Sequence, residues 1–358
     1  MLQYIVKRLF YGLLVMLGVI IIVFLLFNVL PGDPARMMLG QRADIASVEA
    51  INKDLGRDKP LFTQFFNYLN DLSFISVHNK KNTESYWFLD SSKYSFVKLI
   101  QINDIAFVLK KPYLRRSYQS KRMVTEIISE AFPKTALLAT VSMLIALIIG
   151  LIIGIFSALK KDGIFDKISL VISAVGMSLP SFFAAILFAW IFAYLLADYT
   201  GLNMFGSMYS VDDLGNGEYL DLKNLILPAI TLGIRPLAVI VELTRSSMLD
   251  VMSQDYIRTA KAKGLTTYKI ITRHALKNAM NPVITAVSGW LASLMAGAVF
   301  VEYVFDWKGV GVIIVDALEK YDFPVVMGVL LFISIILVII NIFVDILYGL
   351  LDPRIRVT

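Results

Sequence analysis

Six apolar stretches of about twenty residues or more punctuate this chain of 358 residues, and each can cross a hydrocarbon slab of about 30 Å. They are Leu9–Leu30, Thr135–Leu159, Ile168–Leu196, Leu225–Thr244, Val283–Phe305 and Phe323–Val344. No water satisfies backbone groups inside lipid, so such runs cross as helices or not at all. Composition agrees, with 57% apolar and 17% charged residues against roughly 45–50% and about 25% in soluble domains. The expected fold class is therefore an all-α polytopic membrane protein with six transmembrane helices.

Lys and Arg in the short connections set the orientation. Residues 1–8, 160–167, 245–282 and 345–358 hold 14 of them, whereas residues 197–224 and 306–322 hold 3. Both termini are expected on the cytoplasmic side. Lys7 and Arg8 precede the first run as in a signal peptide, but 22 apolar residues without a small-x-small site before Pro31 read as an uncleaved span. The layout is residues 1–30 as N-terminus and first span, 31–134 as an external segment, and 135–358 as a five-span core containing the cytoplasmic segment 245–282. The external segment holds 16 basic residues, yet its 104 residues exceed the loop length for which the charge rule operates. Its flanks, Ala43–Leu72 and Pro112–Phe132, have helical character, and Ser73–Lys111 mixes aromatic and β-branched residues as strands do.

Several chemistries are excluded or disfavoured. Zero cysteines remove disulfides and thiolate sites, and two histidines, His78 and His274, make a histidine metal or catalytic centre a poor expectation. No catalytic or metal-binding residues are assigned. No Gly-x4-Gly-Lys-Ser/Thr loop occurs, so ATP hydrolysis is expected on another chain. The net charge of +6 is distributed by membrane topology, and no nucleic-acid partner is inferred.

Segment 245–282 reads as helix, break, helix. Ser253 suits an N-cap, Asp255 the first turn, Lys261 and Lys263 the last turn, and Gly264 a left-handed C′ position, which brackets a helix over Gln254–Lys263. Helices this short are marginal in water, so packing must hold it. Ile257, Ala260 and Gly264 share a small or apolar face of the kind that enters a partner's groove. A second helix, Thr267–Met280, aligns Lys269, Arg273 and Lys277 for lipid phosphates or acidic protein. The plainer reading is a basic loop that only fixes topology; two helices joined at a glycine exceed what that requires.

The run Tyr256, Ile257, Arg258, Thr259, Ala260, Lys261, Ala262, Lys263, Gly264, Leu265, followed by Arg273-His274-Ala275-Leu276-Lys277-Asn278-Ala279 and Asn281-Pro282, resembles the EAA segment of bacterial ABC importer permeases. The resemblance is to the dipeptide/oligopeptide/nickel branch. It extends to Leu30-Pro31-Gly32-Asp33-Pro34-Ala35, Leu179-Pro180-Ser181-Phe182 and Leu243-Thr244-Arg245-Ser246-Ser247-Met248-Leu249. Val301-Glu302-Tyr303-Val304-Phe305 with Gly309-Val310-Gly311, and Leu351-Asp352-Pro353-Arg354-Ile355-Arg356, complete it. Departures are Arg258-Thr259-Ala260 in place of Glu-Ala-Ala, Lys277 and Lys308 where prolines are common, and an insertion at 74–110 to which no family role transfers.

This resemblance implies a type I ABC importer permease fold in the bacterial inner membrane, with residues 256–265 coupling to the ATPase. Its implied partners are a second homologous permease subunit, two cytoplasmic ATP-binding subunits that carry ATP and Mg, and an external solute-binding protein. Within the spans, Arg235 beside Pro236 and the helix-interrupting Pro180 are candidate translocation-pathway residues, since a charge at mid-bilayer seeks protein or water. The plainer alternatives are that Arg235 merely finds a carbonyl or carboxylate partner and that Pro180 marks a packing irregularity, and Glu242 reads as lying near the inner interface. Gly150 and Gly154 read as a close-packing pair, and Asp345 as meeting water. An ion-coupled secondary transporter using Arg235 and Glu242 is the alternative function; a membrane anchor whose cytoplasmic helices recruit a protein is a third.

Overall fold

The computed structural model describes residues 2–29, 49, 52, 59–81, 85, 87–91, 93–212, 217–295 and 298–351. The Leu30–Ala35 and Asp352–Arg356 parts of the resemblance, and 14 of the 30 positions in the helical flank expected over Ala43–Leu72, lie outside these residues. Among the described residues, Val6–Phe27, Val124–Leu159, Lys223–Met252 and Phe323–Ile346 are each long and apolar enough to cross a membrane. Two further pairs, Ile164–Ser178 with Ser181–Leu195 and Thr267–Met295 with Val299–Phe305, bend by 109° and 55°. Six spans result only if each bent pair is one span.

The chain forms two compact units. The first comprises Met1–Leu9, Ala131–Val312 and Ile336–Thr358; the second comprises Phe10–Glu130 and Ile313–Ile335. Helices α1 (Leu2–Val29), α3 (Val124–Leu159), α12 (Val310–Glu319) and α13 (Phe323–Leu351) contribute residues to both, and α2 (Leu61–Leu72) belongs to the second.

In the first unit α3 lies against α7 (Lys223–Met252), and the glycine pair explains how closely. A Cβ at Gly150 would stand 2.8 Å from Ile240 Cγ2, and one at Gly154 would stand 2.6 Å from Thr244 Cβ. Neither position admits even a methyl group without displacing its neighbours on α7, which supports their reading as a packing pair. The core around them joins Leu138, Met143, Ile240 and Val283.

The expected third span is not a straight rod. It divides into α4 (Ile164–Ser178) and α5 (Ser181–Phe188), the latter continuing as a π turn over Ala189–Leu195. Leu179 and Pro180 are extended, with ψ of 126° and 137°, because a residue before proline is pushed out of the helical region and the ring supplies no N–H. Pro228 and Pro236, by contrast, sit inside an uninterrupted α7. Asp345 pairs with Arg8 at 3.1 Å and stays a quarter exposed, so it can still meet water as expected.

In the second unit α2 packs beside α1 and α13, with Tyr68 among Phe24, Met327 and Leu331. Three antiparallel strands follow, all within residues 74–110: β1 (Ile75–Asn79), β2 (Phe96–Ile102) and β3 (Ile105–Lys110), in the order β1-β3-β2. The register pairs Ile75 with Leu109 and Leu109 with Val97, and a bulge between Lys98 and Ile100 puts Ile100 opposite Phe107. Strand alternation then separates the two faces. Ser76, His78, Ala106, Val108 and Lys110 are buried on one; Ile75, Val97, Ile100, Ile102, Ile105 and Leu109 are exposed on the other.

Beneath the buried face, the His78 ring packs 4.8 Å from that of Tyr94, whose hydroxyl donates to Asp71 Oδ1 at 2.9 Å. Lys110 donates to the Asp71 carbonyl and lies 5.0 Å from the Tyr94 ring centre. Burial pushes the Lys110 ammonium down to about 8, and it lowers the His78 imidazole below its ordinary value, helped by the Lys110 charge.

Candidate functional site

The segment after α7 folds into α8 (Asp255–Ala262), a tight turn, and a long helical rod over Thr267–Met295. Gln254, not Ser253, occupies the N-cap, with ψ of 150° and no side-chain cap bond. The Ser253 hydroxyl instead donates back to the Asp250 carbonyl at 2.7 Å, completing the end of α7. The C-terminus follows the sequence expectation closely. Gly264 has φ of +77°, its N–H donates to Lys261 O at 2.9 Å, and the Leu265 N–H donates to Ala260 O at 3.3 Å. Those two bonds constitute a Schellman motif, which glycine enters without the steric cost a Cβ imposes.

The packing face of α8 differs from the groove-entering reading. Ile257 is 0% exposed and Ala260 6%, and both sit in a cluster with Met248, Ile270, Ala275 and Ala279 of their own chain. The physical reason is that an eight-residue helix has no stability to spare for an unoccupied apolar face, so its own neighbours cover it. The surface left outward carries Tyr256, Arg258, Thr259, Lys261, Ala262, Lys263 and Gly264; Leu265 is half-buried. Asp255 pairs with Arg258 at 3.3 Å on this surface.

The rod begins with Thr266, whose hydroxyl accepts from the Lys269 N–H at 3.4 Å. It passes from α9 (Thr267–Lys269) through a π turn at Ile270–Ala275 into α10 (Leu276–Met295). Wider winding brings Ile270 and Ala275, five apart, onto the same inward face, and Ala279 continues it. Lys269, Arg273 and Lys277 remain exposed, as the basic stripe predicts. Asn278 Nδ2 donates to the Tyr256 hydroxyl at 2.8 Å, tying α8 to α10 at its surface edge.

A charge cluster around the buried Asp166 sits about two turns of α7 before this segment. Arg245 Nη2 donates to Asp166 Oδ2 at 2.7 Å and Arg245 Nε to Oδ1. Ser157 Oγ donates to the same carboxylate, and the Asp162 N–H donates to it at 2.9 Å. The cluster fastens the end of α3, the start of α4 and the lower part of α7. Sequence reading quoted Arg245 but gave it no partner; nothing local points to Asp166, 79 residues away.

A second buried acid also escaped assignment. Glu302, in α11 (Val299–Phe305), is 0% exposed; Thr135 Oγ1 donates to Oε1 and the Gly311 N–H to Oε2, both at 2.7 Å. A Cβ at Gly309 would stand 2.5 Å from Glu302 Oε2, so the glycines of Gly309-Val310-Gly311 make room for the carboxylate. A lone acid in an apolar run followed by paired glycines is the signal that could have marked it.

Arg235 and Glu242 are both exposed on α7, and with Ser246 and Asp250 they fall within an arc of roughly 80° at about 100° per residue. Most of the remaining α7 surface is buried. Pro180 is exposed at the bend between α4 and α5. Among the described residues no group of three or more metal-ligating acids and histidines occurs.

Comparison with known proteins adds a second line of evidence. Residues 150–357 match the family described as binding-protein-dependent transport system inner membrane component, and residues 1–139 match its N-terminal companion. The di/tripeptide transport system permease protein DppB of Pseudomonas aeruginosa is 34% identical over 377 residues, covering 99% of both chains. The glutathione transport system permease protein GsiC of Pectobacterium atrosepticum is 34% identical over 356 residues, again covering 99% of each. Inward-facing MetNI methionine ABC transporter superposes with a TM-score of 0.50 at 16% identity, covering 64% of this chain and 97% of that one, and shows the fold alone.

Proposed function

Because the chain belongs to the family of binding-protein-dependent transport system inner membrane components, and is a multi-pass permease subunit of an ABC importer, we propose that its cargo is peptide and that α8 receives the work of a separate ATPase. The names of the relatives support peptide cargo. One observation carries the coupling: α8 buries Ile257 and Ala260 in its own chain while presenting Arg258, Lys261 and Lys263 outward. A helix held this way cannot slide independently of α7 and α10. Force on its outer surface is passed to the spans as rigid-body motion.

The proposed assembly contains a second homologous permease subunit, two cytoplasmic ATP-binding subunits holding ATP and Mg, and an external solute-binding protein. This chain would carry no cofactor and no catalytic residue. Location in the bacterial inner membrane with both termini cytoplasmic accords with the 14 to 3 distribution of Lys and Arg, and with the Arg8–Asp345 pair joining the first and last helices. The polar stripe of Arg235, Glu242 and Ser246 supports a place on the translocation pathway, since polar groups in a span face protein or water rather than lipid. Pro180 at the bend would shape the same route.

The test uses the absence of native cysteine. Ala262→Cys is placed on the outward face of α8, whereas Ala260 is buried and unsuited to a probe. In the assembled, transporting complex, Ala262→Cys is expected to crosslink to the ATP-binding subunit with a yield that changes between ATP-bound and nucleotide-free states. No crosslink in an actively transporting complex would refute the coupling role.

A further inference from the structure

The outward face of the β1–β3 sheet is unusual for a segment outside the spans. Six aliphatic side chains, Ile75, Val97, Ile100, Ile102, Ile105 and Leu109, are each at least 45% exposed on it, and no charged residue interrupts them. A contiguous apolar surface of this kind marks an interaction site. The neighbouring helices indicate which partner it meets.

Helix α2 does not stand clear of the spans. Phe65 and Tyr68 pack on Phe24 of α1 with ring centres 5.1 and 5.9 Å apart, and Tyr68 shares a cluster with Met327 and Leu331 of α13. Phe24 lies inside the apolar window Val6–Phe27, and Leu331 is eight residues past the start of α13, about 12 Å along its axis. Strand β1 lies at a similar level, because Ile20 of α1, Phe66 and Leu72 of α2, and Ile75 and Val77 of β1 line one cavity of about 460 Å³. Ile20 precedes Phe27 by seven residues, about 10 Å along the helix. The near strand of the sheet thus shares a cavity with a residue about 10 Å inside the apolar window of α1.

From Ile21, Ile22 and Leu25 on α1, the exposed apolar surface continues over Phe62 and Phe66 of α2 to the sheet. We propose that the aliphatic face of the β1–β3 sheet is a lipid-docking surface, seated among the acyl chains of the leaflet that adjoins the outer end of α1. The exposed side chains of the sheet face are aliphatic, whereas protein interfaces favour Tyr, Trp, Phe, Met and Arg at their centres. The unpaired backbone of β2, the strand farthest from α1, limits the depth, since an open edge is tolerated only where headgroups or water reach it. Lys98 and Gln101 on the reverse side of β2 suit that boundary. This inference rests on the chain being a membrane protein and not on its cargo or coupling helix.

Single cysteines at Val97→Cys and Ile100→Cys, with Ile105→Cys as a third site on the same face, are labelled with bimane in the assembled complex reconstituted into phosphatidylcholine–phosphatidylglycerol vesicles. Ile22→Cys on α1 is the lipid benchmark, and Gln101→Cys on the opposite face is the aqueous one. Phosphatidylcholine brominated in its acyl chains is expected to quench the sheet-face labels to the same extent as Ile22→Cys, leaving Gln101→Cys unquenched, with aqueous iodide giving the reverse order. Iodide quenching of the sheet face equal to that of Gln101→Cys would overturn the proposal in favour of open solvent. Protection from both quenchers would overturn it in favour of a covering protein.

Discussion

Replacing Gly264 isolates the energetics of the turn that ends α8. Its φ of +77° lies in the left-handed region, and a Cβ built there meets nothing within 4 Å. Gly264→Ala therefore introduces no collision within the chain; its cost is the backbone penalty of a left-handed L-residue, about 1–2 kcal/mol. That shifts the opening equilibrium of the Schellman turn by about 5- to 30-fold. The Leu265 amide, bonded to Ala260 O at 3.3 Å, reports it directly. Hydrogen exchange on the detergent-solubilised chain should show that amide accelerating by a factor in this range in Gly264→Ala. Gly264→Asn should accelerate it less, because asparagine tolerates the left-handed region, and Gly264→Val more, because β-branching does not. Peptide uptake by the assembled complex should fall in the same rank order while membrane insertion stays normal. Unchanged exchange in Gly264→Ala, or Asn behaving as badly as Val, would refute the conformational argument.

Two other outcomes follow from buried charge. Asp166→Asn leaves the half-buried Arg245 without its carboxylate, and losing a hydrogen-bonded charged partner of this kind costs about 1–3 kcal/mol. Thermal unfolding should show the Asp166→Asn, Arg245→Met double variant losing clearly less stability than the two single changes added together. In the second unit, Lys110 holds a proton less tightly when folded, about 8 against 10.5 unfolded, so the unfolded state binds more protons between those values. Stability of the sheet should rise as pH increases from about 8 to about 10.5. Limited proteolysis of the 74–110 segment would record the rise, and Lys110→Met should flatten it.

The limits of sequence reading show in α8 itself. Its length, its acidic first turn and its terminating glycine were legible because caps and propensities act within a few residues. Its orientation was not. The 3.6-residue period identifies an apolar face but does not say whether a partner or the chain's own helices cover it, and here Met248 and Ala279 do. The bend at Leu179–Pro180 was legible as an interruption, while its 109° size depends on what each half packs against.

Apolar run length and basic-residue asymmetry, which are properties of contiguous sequence, determined that this chain is a helical membrane protein and where its long basic connection between the fourth and fifth apolar runs falls. Tertiary structure alone joined Asp166 to Arg245 and Glu302 to Thr135 and Gly311, and turned the aliphatic side of the β1–β3 sheet outward. Such pairings span 79 and 167 residues, and a buried acid selects its donor by which helices bring one within hydrogen-bonding reach, a choice no local periodicity encodes.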